Sequence, residues 1–140
     1  MNIVPFKAEH LMDLQLQESQ QFCGPAVSPQ YAMYLEGEFS FTALDGDKVL
    51  CVGGVTAIWD NRAIAWMLVD GSAGKHFVEI HKAAKRMLDM VPYARVEADT
   101  PCEFEAGHKW LKMLGFQLEA ERMRAHRIDG GDSALYARVK

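Results

Sequence analysis

The spacing of apolar residues changes several times along this chain, and each change marks a predicted element. Residues 1–6 alternate loosely between apolar and polar types, which indicates an edge strand. Leu11, Leu14 and Phe22 then recur among polar residues at helical spacing. The pattern therefore predicts a first helix over residues 7–22.

A second, shorter helix follows a loop. Residues 23–30 contain one glycine and two prolines, which is typical of a loop. Ser28 is a suitable N-cap, and Pro29 is favoured at the first helical position. Gly37 ends this predicted helix.

The period then changes to that of strands. Two apolar runs flank Asp45, Gly46 and Asp47, and an Asp-Gly pair between such runs predicts a β-hairpin. Gly53 and Gly54 in the second run indicate a bulge or a close approach of another backbone. A third strand over residues 62–70 reads as continuously apolar, which predicts burial on both faces.

The second half of the chain alternates helices and strands. A helix is predicted from Lys75 until Pro92 stops it, and residues 94–99 alternate as a strand with one polar face. Another helix ends at Gly115, and the last residues form a hairpin around the pair Gly130–Gly131. The order β-α-α-β-β-β-α-β-α-β-β predicts a mixed α/β sheet.

Composition narrows the class of protein. The chain has 140 residues, a net charge of −4 and 49% hydrophobic residues, which suits one globular domain and argues against general nucleic-acid binding. No apolar run is long enough for a membrane helix, and no signal peptide is recognised. The three cysteines, Cys23, Cys51 and Cys102, lie far apart in the sequence, so neither a disulfide framework nor a metal site is expected. Free thiols of this kind indicate a reducing compartment, and we therefore expect a cytoplasmic location.

One helix end carries a family resemblance. Residues 108–116 (HKWLKMLGF) follow a strand, precede the closing hairpin and end in Leu114-Gly115-Phe116. Together with the order of elements, they resemble the GNAT superfamily of acetyltransferases, whose members often end this helix in Leu-Gly-Phe. Residues 62–116 also resemble a small GNAT-like protein of tailed bacteriophages. The resemblance implies a single GNAT-like domain over residues 1–140.

The resemblance also implies acetyl-CoA as the co-substrate and an amine on an unknown acceptor. In the superfamily, the cofactor lies where the central parallel strands splay apart. The strand there offers backbone groups to the pantetheine arm, and the following loop and helix start hold the pyrophosphate. The matching positions for the arm are Met67, Leu68 and Val69. Those for the pyrophosphate are Gly71, Ser72, Ala73, Gly74 and Lys75.

Physical chemistry supports this use of the loop in part. A helix start presents unpaired N–H groups and partial positive charge, and Lys75 adds a cation. Asp70, however, places negative charge nearby, and the Arg or Gln that usually begins the family's loop is missing. Nor is the loop a P-loop, because only two residues separate Gly71 from Gly74. An ordinary strand-to-helix turn therefore remains the alternative.

The resemblance implies a carboxylate base near the splayed strands and a tyrosine acid on the last helix. Leu111 stands where that tyrosine is expected, so the usual acid is missing. Glu97 and Asp99 are the candidate bases, and His108 is a further candidate because histidine titrates near neutral pH. Solvated carboxylates and an exposed helix histidine are the alternative interpretations.

Two functions from different classes follow. The first is an N-acetyltransferase that moves an acetyl group from acetyl-CoA to an amine. The second is a protein of the same fold without catalysis, such as a bacteriophage structural or internal virion protein with virion proteins as partners. A CoA sensor without turnover is a third, weaker interpretation. A homodimer through the C-terminal hairpin and a virion-associated location are further expectations.

Overall fold

The computed structural model describes all residues from Met1 to Lys140. Seven strands form one sheet in the order β1-β2-β3-β4-β5-β7-β6, in which β4 and β5 are parallel and the other described pairs are antiparallel. This mixed sheet with its helices confirms the predicted fold class and the predicted order of elements. The strands and α-helices are β1 (Asn2–Pro5), α1 (Ala8–Met12), α2 (Pro29–Leu35), β2 (Ser40–Asp45), β3 (Lys48–Trp59), β4 (Arg62–Val69), α3 (Phe77–Met90), β5 (Arg95–Pro101), α4 (Glu105–Met113), β6 (Gln117–Met123) and β7 (Ser133–Val139).

Two 3₁₀-helices complete the description, one at Glu18–Ala26 and one at Ala73–His76. None of the helices is both long and apolar enough to cross a lipid bilayer.

The chain divides into two compact units. The first contains Met1–Thr56 and Trp66–Val91, and the second contains Ala57–Ala65 and Pro92–Lys140. The prediction of a single domain stays a prediction. In the first unit, one apolar cluster is formed by Phe6, Leu11, Ala32, Leu35, Val49, Val52 and Leu68.

The β2–β3 hairpin of the first unit forms as predicted. Asp45 pairs with Lys48, and Gly46 between them adopts a φ of +60°, a conformation that favours glycine. The predicted close approach at Gly54 is also confirmed, because a Cβ there would lie 2.6 Å from the carbonyl oxygen of Phe39. The glycine in the turn and the close backbone contact at Gly54 therefore both favour this hairpin.

The prediction of one helix over residues 7–22 is wrong. The chain leaves α1 after Met12, forms an isolated antiparallel bridge between Leu16 and Asp70, and then enters the 3₁₀-helix Glu18–Ala26. A short helix gains little on its own, whereas unpaired strand-edge groups need hydrogen-bond partners. Pairing with the end of β4 therefore overrides the helical pattern of this segment.

The second predicted helix is confirmed at its start. The side-chain oxygen of Ser28 accepts a hydrogen bond from the N–H of Tyr31 at 3.1 Å, and Pro29 occupies the first turn of α2. The loop predicted over residues 23–30 is wrong in its first part, because the 3₁₀-helix continues to Ala26 and includes Pro25. Proline is tolerated there, since a short 3₁₀ segment demands fewer regular N–H donors than an α-helix.

Two further predictions, one for β4 and one for the start of α3, need correction. Only Ala63 and Leu68 of β4 are fully buried, so the strand is not buried on both faces, and Ile64 is 40% exposed. Its apolar run reflects the strand preference of large apolar residues more than burial. The helix predicted from Lys75 begins instead with the 3₁₀-helix Ala73–His76, and α3 starts at Phe77.

In the second unit, β5 pairs with β7 along its whole length, and α4 follows β5. Gly115 ends this helix region with a φ of +94°, as predicted from its sequence position. Gly107 permits close packing of α4, because a Cβ there would collide with Thr100 and would lie 2.8 Å from the Phe104 ring. The closing hairpin of β6 and β7 is confirmed.

Candidate functional site

The C-terminal half of β4 has backbone N–H and C=O groups along one edge that form no described hydrogen bonds with β5. Described pairing between β4 and β5 covers three positions, from Arg62 with Arg95 to Ile64 with Glu97. The N–H of Arg95 donates to the carbonyl of Asn61 at 2.9 Å, so the backbone groups of odd-numbered β4 residues point toward that edge. By this alternation, Met67 and Val69 present their N–H and C=O groups at the same edge.

A glutamine side chain occupies these groups. The Nε2 of Gln20 donates to the carbonyl of Met67 at 2.8 Å, and the N–H of Val69 donates to Oε1 of Gln20 at 2.8 Å. A carbonyl can only accept and an N–H can only donate, so these partners determine the orientation of the amide. The Gln20 amide therefore pairs with β4 as the N–H and C=O of one residue in a neighbouring strand would.

The backbone beside Gln20 extends this pairing. The N–H of Gln17 donates to the carbonyl of Val69 at 2.8 Å, and the N–H of Gly71 donates to the carbonyl of Gln15 at 3.2 Å. Residues 15–20, here called the 15–20 segment, thus cover the edge of β4 at Met67 and Val69 and continue to Gly71 in the loop. The backbone positions predicted for the pantetheine arm already have partners within the chain.

The buried side chain of Asp70 connects the 15–20 segment to the loop that follows β4. It is 4% exposed, it accepts hydrogen bonds from the N–H and hydroxyl of Ser72 at 2.9 and 2.6 Å, and it accepts one from the N–H of Gln15 at 3.3 Å. Its carboxylate also lies 3.6 Å from the ammonium of Lys48. Burial alone would raise its pKa, but the Ser72 hydrogen bonds and the Lys48 charge outweigh this and lower it. The carboxylate of Asp70 therefore has its hydrogen-bond and charge partners within the protein.

The loop itself is open to solvent. Gly71, Ser72, Gly74 and Lys75 are exposed, whereas Ala73 is buried and begins the second 3₁₀-helix. A Cβ on Gly74 would meet no atom within 4 Å. The N–H groups of Gly71, Ser72 and Ala73 already donate to Gln15 O, to the Asp70 carboxylate and to Asp70 O. An anion at this start would therefore depend on Gly74 and on the ammonium of Lys75.

These residues fit acetyl-CoA in part. The loop suits a pyrophosphate in part, because Gly74 and Lys75 are exposed and Lys75 supplies a cation. The β4 edge at Met67 and Val69 suits the amide groups of an extended arm once the Gln20 side chain has moved away. Leu68, which lies between them, is 9% exposed, belongs to the apolar core and has its backbone directed to the opposite edge.

The candidate catalytic residues lie in the second unit, where Glu97 is held by two arginines. Its side chain is 11% exposed and accepts hydrogen bonds from Arg62 at 2.6 and 2.9 Å and from Arg95 at 2.6 Å. The Arg62 hydrogen bonds, opposed by burial and reinforced by Arg95, lower the pKa of Glu97 to about 2. A carboxylate this stabilised binds protons weakly, so Glu97 is poorly suited to be a general base.

Asp99 has a different environment, two residues further along β5. Its side chain is exposed to solvent, but protein atoms near the carboxyl still desolvate it enough to raise its pKa, and the nearby His126 opposes this shift. No arginine or lysine forms an ion pair with it. A carboxylate with a raised pKa is the better proton acceptor near neutral pH, so Asp99 suits the role of a base better than Glu97 does.

His108 on α4 uses both ring nitrogens within the protein. Its Nδ1 lies 2.7 Å from the hydroxyl of Tyr136, and its Nε2 lies 2.9 Å from the carbonyl of Cys102. Since a carbonyl only accepts, Nε2 carries the proton, and the Tyr136 hydroxyl donates to Nδ1. Tyr136 is 1% exposed, and burial raises its pKa. This arrangement indicates a structural pair.

Leu111, at the position of the expected tyrosine acid, is half-buried on α4. Two arginines near the closing hairpin form ion pairs with acidic side chains. Arg122 forms an ion pair with Asp132 at 2.5 Å, and Arg127 forms ion pairs with Glu103 and Asp129 at 2.7 and 3.0 Å. No group of three or more histidine, cysteine or acidic side chains is arranged to hold a metal ion.

Two features of these sites were missed by sequence reasoning. Gln20 lies 47 residues from Met67 in sequence, and Tyr136 lies 28 residues from His108. Neither residue belongs to a motif or a periodic pattern. No signal in the sequence alone could have paired them, because each contact depends on how distant elements are brought together.

A scan of the sequence against protein-family models finds no match, and a search of curated protein sequences finds no relative. Solved structures give a different result. The ribosomal-protein-S18-alanine N-acetyltransferase of Escherichia coli is similar over 99% of this chain and 92% of its own, with a TM-score of 0.68 at 13% identity. A GNAT-family acetyltransferase of Bacillus anthracis covers 98% and 93%, with a TM-score of 0.67 at 12% identity.

A third similar structure is an aminoglycoside 6'-acetyltransferase of type Ii. It covers 99% of this chain and 97% of its own, with a TM-score of 0.68 at 12% identity. Identities this low carry information about the fold alone, but the coverage extends over nearly the whole of each chain. The chain therefore has the fold of the GNAT acetyltransferases.

Proposed function

We propose that this protein is an N-acetyltransferase that transfers an acetyl group from acetyl-CoA to an amine. The observation that carries the proposal is the similarity of 99% of the chain to an N-acetyltransferase at a TM-score of 0.68. Fold similarity by itself does not determine activity, so the proposal also depends on the exposed helix start and on Asp99.

Acetyl-CoA is proposed to bind at the end of β4 and the loop that follows. When bound, it supplies the activated acetyl thioester. The backbone of Met67 and Val69 would receive its pantetheine amides, and Gly71, Ser72, Gly74 and Lys75 would hold its pyrophosphate. Solvent exposure of this loop and the buried, internally satisfied charge of Asp70 support the assignment.

Asp99 is proposed as the general base. The acceptor amine must lose a proton as its nitrogen bonds to the acetyl carbon and the carbon–sulfur bond breaks, and the departing thiolate takes up a proton from solvent. The raised pKa of Asp99 and the absence of an ion-pair partner suit it to accept the amine proton. Glu97 is assigned a structural role through Arg62 and Arg95, and His108 a structural role through Tyr136.

A calorimetric titration with acetyl-CoA tests the binding proposal. Gly74→Glu places a carboxylate in open space at the loop, so it should abolish saturable binding by charge repulsion without disturbing the fold. Gly37→Glu adds the same charge at another exposed glycine with open space and should bind like the unchanged protein. If the unchanged protein fails to bind at millimolar acetyl-CoA, the proposal is wrong.

A binding result leads directly to a screen for the acceptor. Release of CoA from acetyl-CoA would be followed with a panel of primary amines that includes amino acids, polyamines and peptides with free N-termini. These classes are chosen because the similar structures include acetyltransferases named for a ribosomal-protein alanine, an aminoglycoside and spermidine.

A second candidate function is a protein of this fold that does not catalyse acetyl transfer. Leu111 in place of the expected tyrosine, the two arginines that hold Glu97 and the occupied edge of β4 all favour it. Binding of acetyl-CoA without turnover over the whole amine panel would support the sensor form of this candidate. The bacteriophage subtype, virion partners, a homodimer and a cytoplasmic location remain predictions.

A further inference from the structure

The 15–20 segment is a chemical substitute for the ligand that the β4 edge is proposed to bind. Gln20 presents one amide donor and one amide acceptor, and both pair with β4, at Met67 O and Val69 N, each at 2.8 Å. Two successive secondary amides in an extended arm offer the same pair, the N–H of one amide as donor and the C=O of the other as acceptor. The single N–H of Val69 cannot donate fully to Gln20 and to the ligand at once.

We propose that Gln20 is a built-in competitor of acetyl-CoA, so that binding requires its side chain to swing away from β4. This inference rests on the proposed function and adds its regulation. Rotation about the side-chain bonds of Gln20 is enough to release Met67 O and Val69 N. The backbone bond from Gln17 to Val69 O can remain during this step.

The segment has the features of a part that can move. Its 3₁₀-helix, Glu18–Ala26, contains no fully buried residue and is held to the apolar core through partly buried side chains such as Cys23. The Ser19 hydroxyl is buried without a hydrogen-bond partner in this arrangement, which is unfavourable and is relieved if the segment moves outward. Gln20 itself is only half-buried, so solvent can receive its amide.

The segment is nevertheless held firmly enough to compete. Gln17 Nε2 donates to Gln20 Oε1 at 3.2 Å and orients the amide. Asp70 accepts from Gln15 N–H and tethers the start of the segment to the loop. These contacts reduce the freedom that the Gln20 side chain would otherwise lose on pairing, which strengthens its competition with a free ligand.

The test compares Gln20→Ala with Gln21→Ala by titration with acetyl-CoA. Gln21 is the exposed neighbour on the same 3₁₀-helix, so its replacement removes a similar side chain without touching β4. Gln20→Ala should bind acetyl-CoA about tenfold more tightly, as expected when one or two hydrogen bonds need not be broken first. Gln21→Ala should bind like the unchanged protein.

A second probe isolates the arm of the ligand. Adenosine 3′,5′-bisphosphate carries phosphates but no pantetheine amides, so Gln20→Ala should leave its affinity unchanged. Amide exchange measured by NMR should be about tenfold faster at Val69 in the Gln20→Ala variant, because its N–H loses its protein acceptor. Saturating acetyl-CoA should also shift the side-chain amide resonance of Gln20 in the unchanged protein.

The outcomes separate the two proposals. If the unchanged protein binds acetyl-CoA and Gln20→Ala binds equally or more weakly, Gln20 is not a competitor, and the proposed function stands without it. The same conclusion follows if the affinity gain is equal for the bisphosphate. If neither protein binds acetyl-CoA, the proposed function fails and the competition fails with it.

Discussion

Arg62 at the start of β4 donates two parallel hydrogen bonds to the carboxylate of Glu97 on β5. Its Nε lies 2.6 Å from one carboxylate oxygen, and its Nη2 lies 2.9 Å from the other. This side-on geometry matches the planar guanidinium to the carboxylate and is stronger than a single-point contact. It holds β4 and β5 together at the place where their parallel ladder is formed.

Replacing Glu97 by Gln should lower the free energy of unfolding by about 2–3 kcal/mol at neutral pH, because two arginines lose their shared counter-charge. The matched control is Glu119→Gln, whose side chain is 40% exposed and pairs with Arg95 alone. It should destabilise the protein less than Glu97→Gln does, because solvent screens an exposed pair. Urea denaturation of both variants measures the difference, and equal losses would contradict the structural role of Glu97.

The same pair predicts an acid-dependent stability. The folded-state pKa of Glu97 is lowered from the usual 4.5 to about 2, so its contribution is complete above the usual value and is lost as pH falls from about 5 toward 2. Glu97→Gln should show a shallower loss of stability over this window than the unchanged protein. If the variant and the unchanged protein lose the same free energy of unfolding between pH 5 and pH 2, the prediction is wrong.

Asp99→Asn should lower kcat/KM for acetyl transfer by about 10²–10³-fold, the range expected for loss of a general base. In the unchanged protein, kcat/KM should fall as pH drops through the raised pKa of Asp99, because only its ionised form accepts a proton. The Asn variant should lack this limb of the pH profile. Asp60→Asn, an exposed change in the β3–β4 turn, is the control.

The stability of the Asp99→Asn variant provides an independent check. A raised pKa means that folding disfavours the charged form, so neutral Asn should keep or slightly increase stability at pH 7. Loss of activity together with retained stability separates a catalytic role from a structural one. A variant that keeps both its activity and the pH limb would exclude Asp99 as the base.

His108→Leu should destabilise the protein by about 1–3 kcal/mol, since it leaves the buried hydroxyl of Tyr136 without an acceptor. Adding Tyr136→Phe removes that hydroxyl, so the double variant should recover part of the loss. A double-mutant cycle measured by thermal or urea unfolding gives the coupling. Strictly additive effects would show that the two side chains do not interact.

Gly107→Ala should destabilise the protein by about 1–3 kcal/mol, although alanine usually stabilises a helix relative to glycine. The reason is crowding, because the new methyl group would collide with Thr100 and approach the Phe104 ring at 2.8 Å. Gly37→Ala places the same methyl group where no atom lies within 4 Å, and it should be neutral. A stabilised Gly107→Ala variant would show that α4 can shift away from β5.

Local residue chemistry by itself determined much of this fold. The Asp-Gly turn at Gly46, the Ser28 cap of α2 and the helix end at Gly115 all depend on residues within a few positions of one another, so the sequence predicts them correctly. The order of strands and helices follows from the same local periods. This order of elements predicts the mixed sheet and underlies the family resemblance.

Only the tertiary structure decided what surrounds each candidate group. The carboxylates of Glu97 and Asp99 look equivalent in an alternating strand, yet two arginines hold one and crowding affects the other. The helical pattern around Gln20 gave way to pairing with β4, because a strand edge satisfies more backbone groups than one weak helix turn. Electrostatic environment and edge pairing depend on residues distant in sequence, and local patterns therefore carry no record of them.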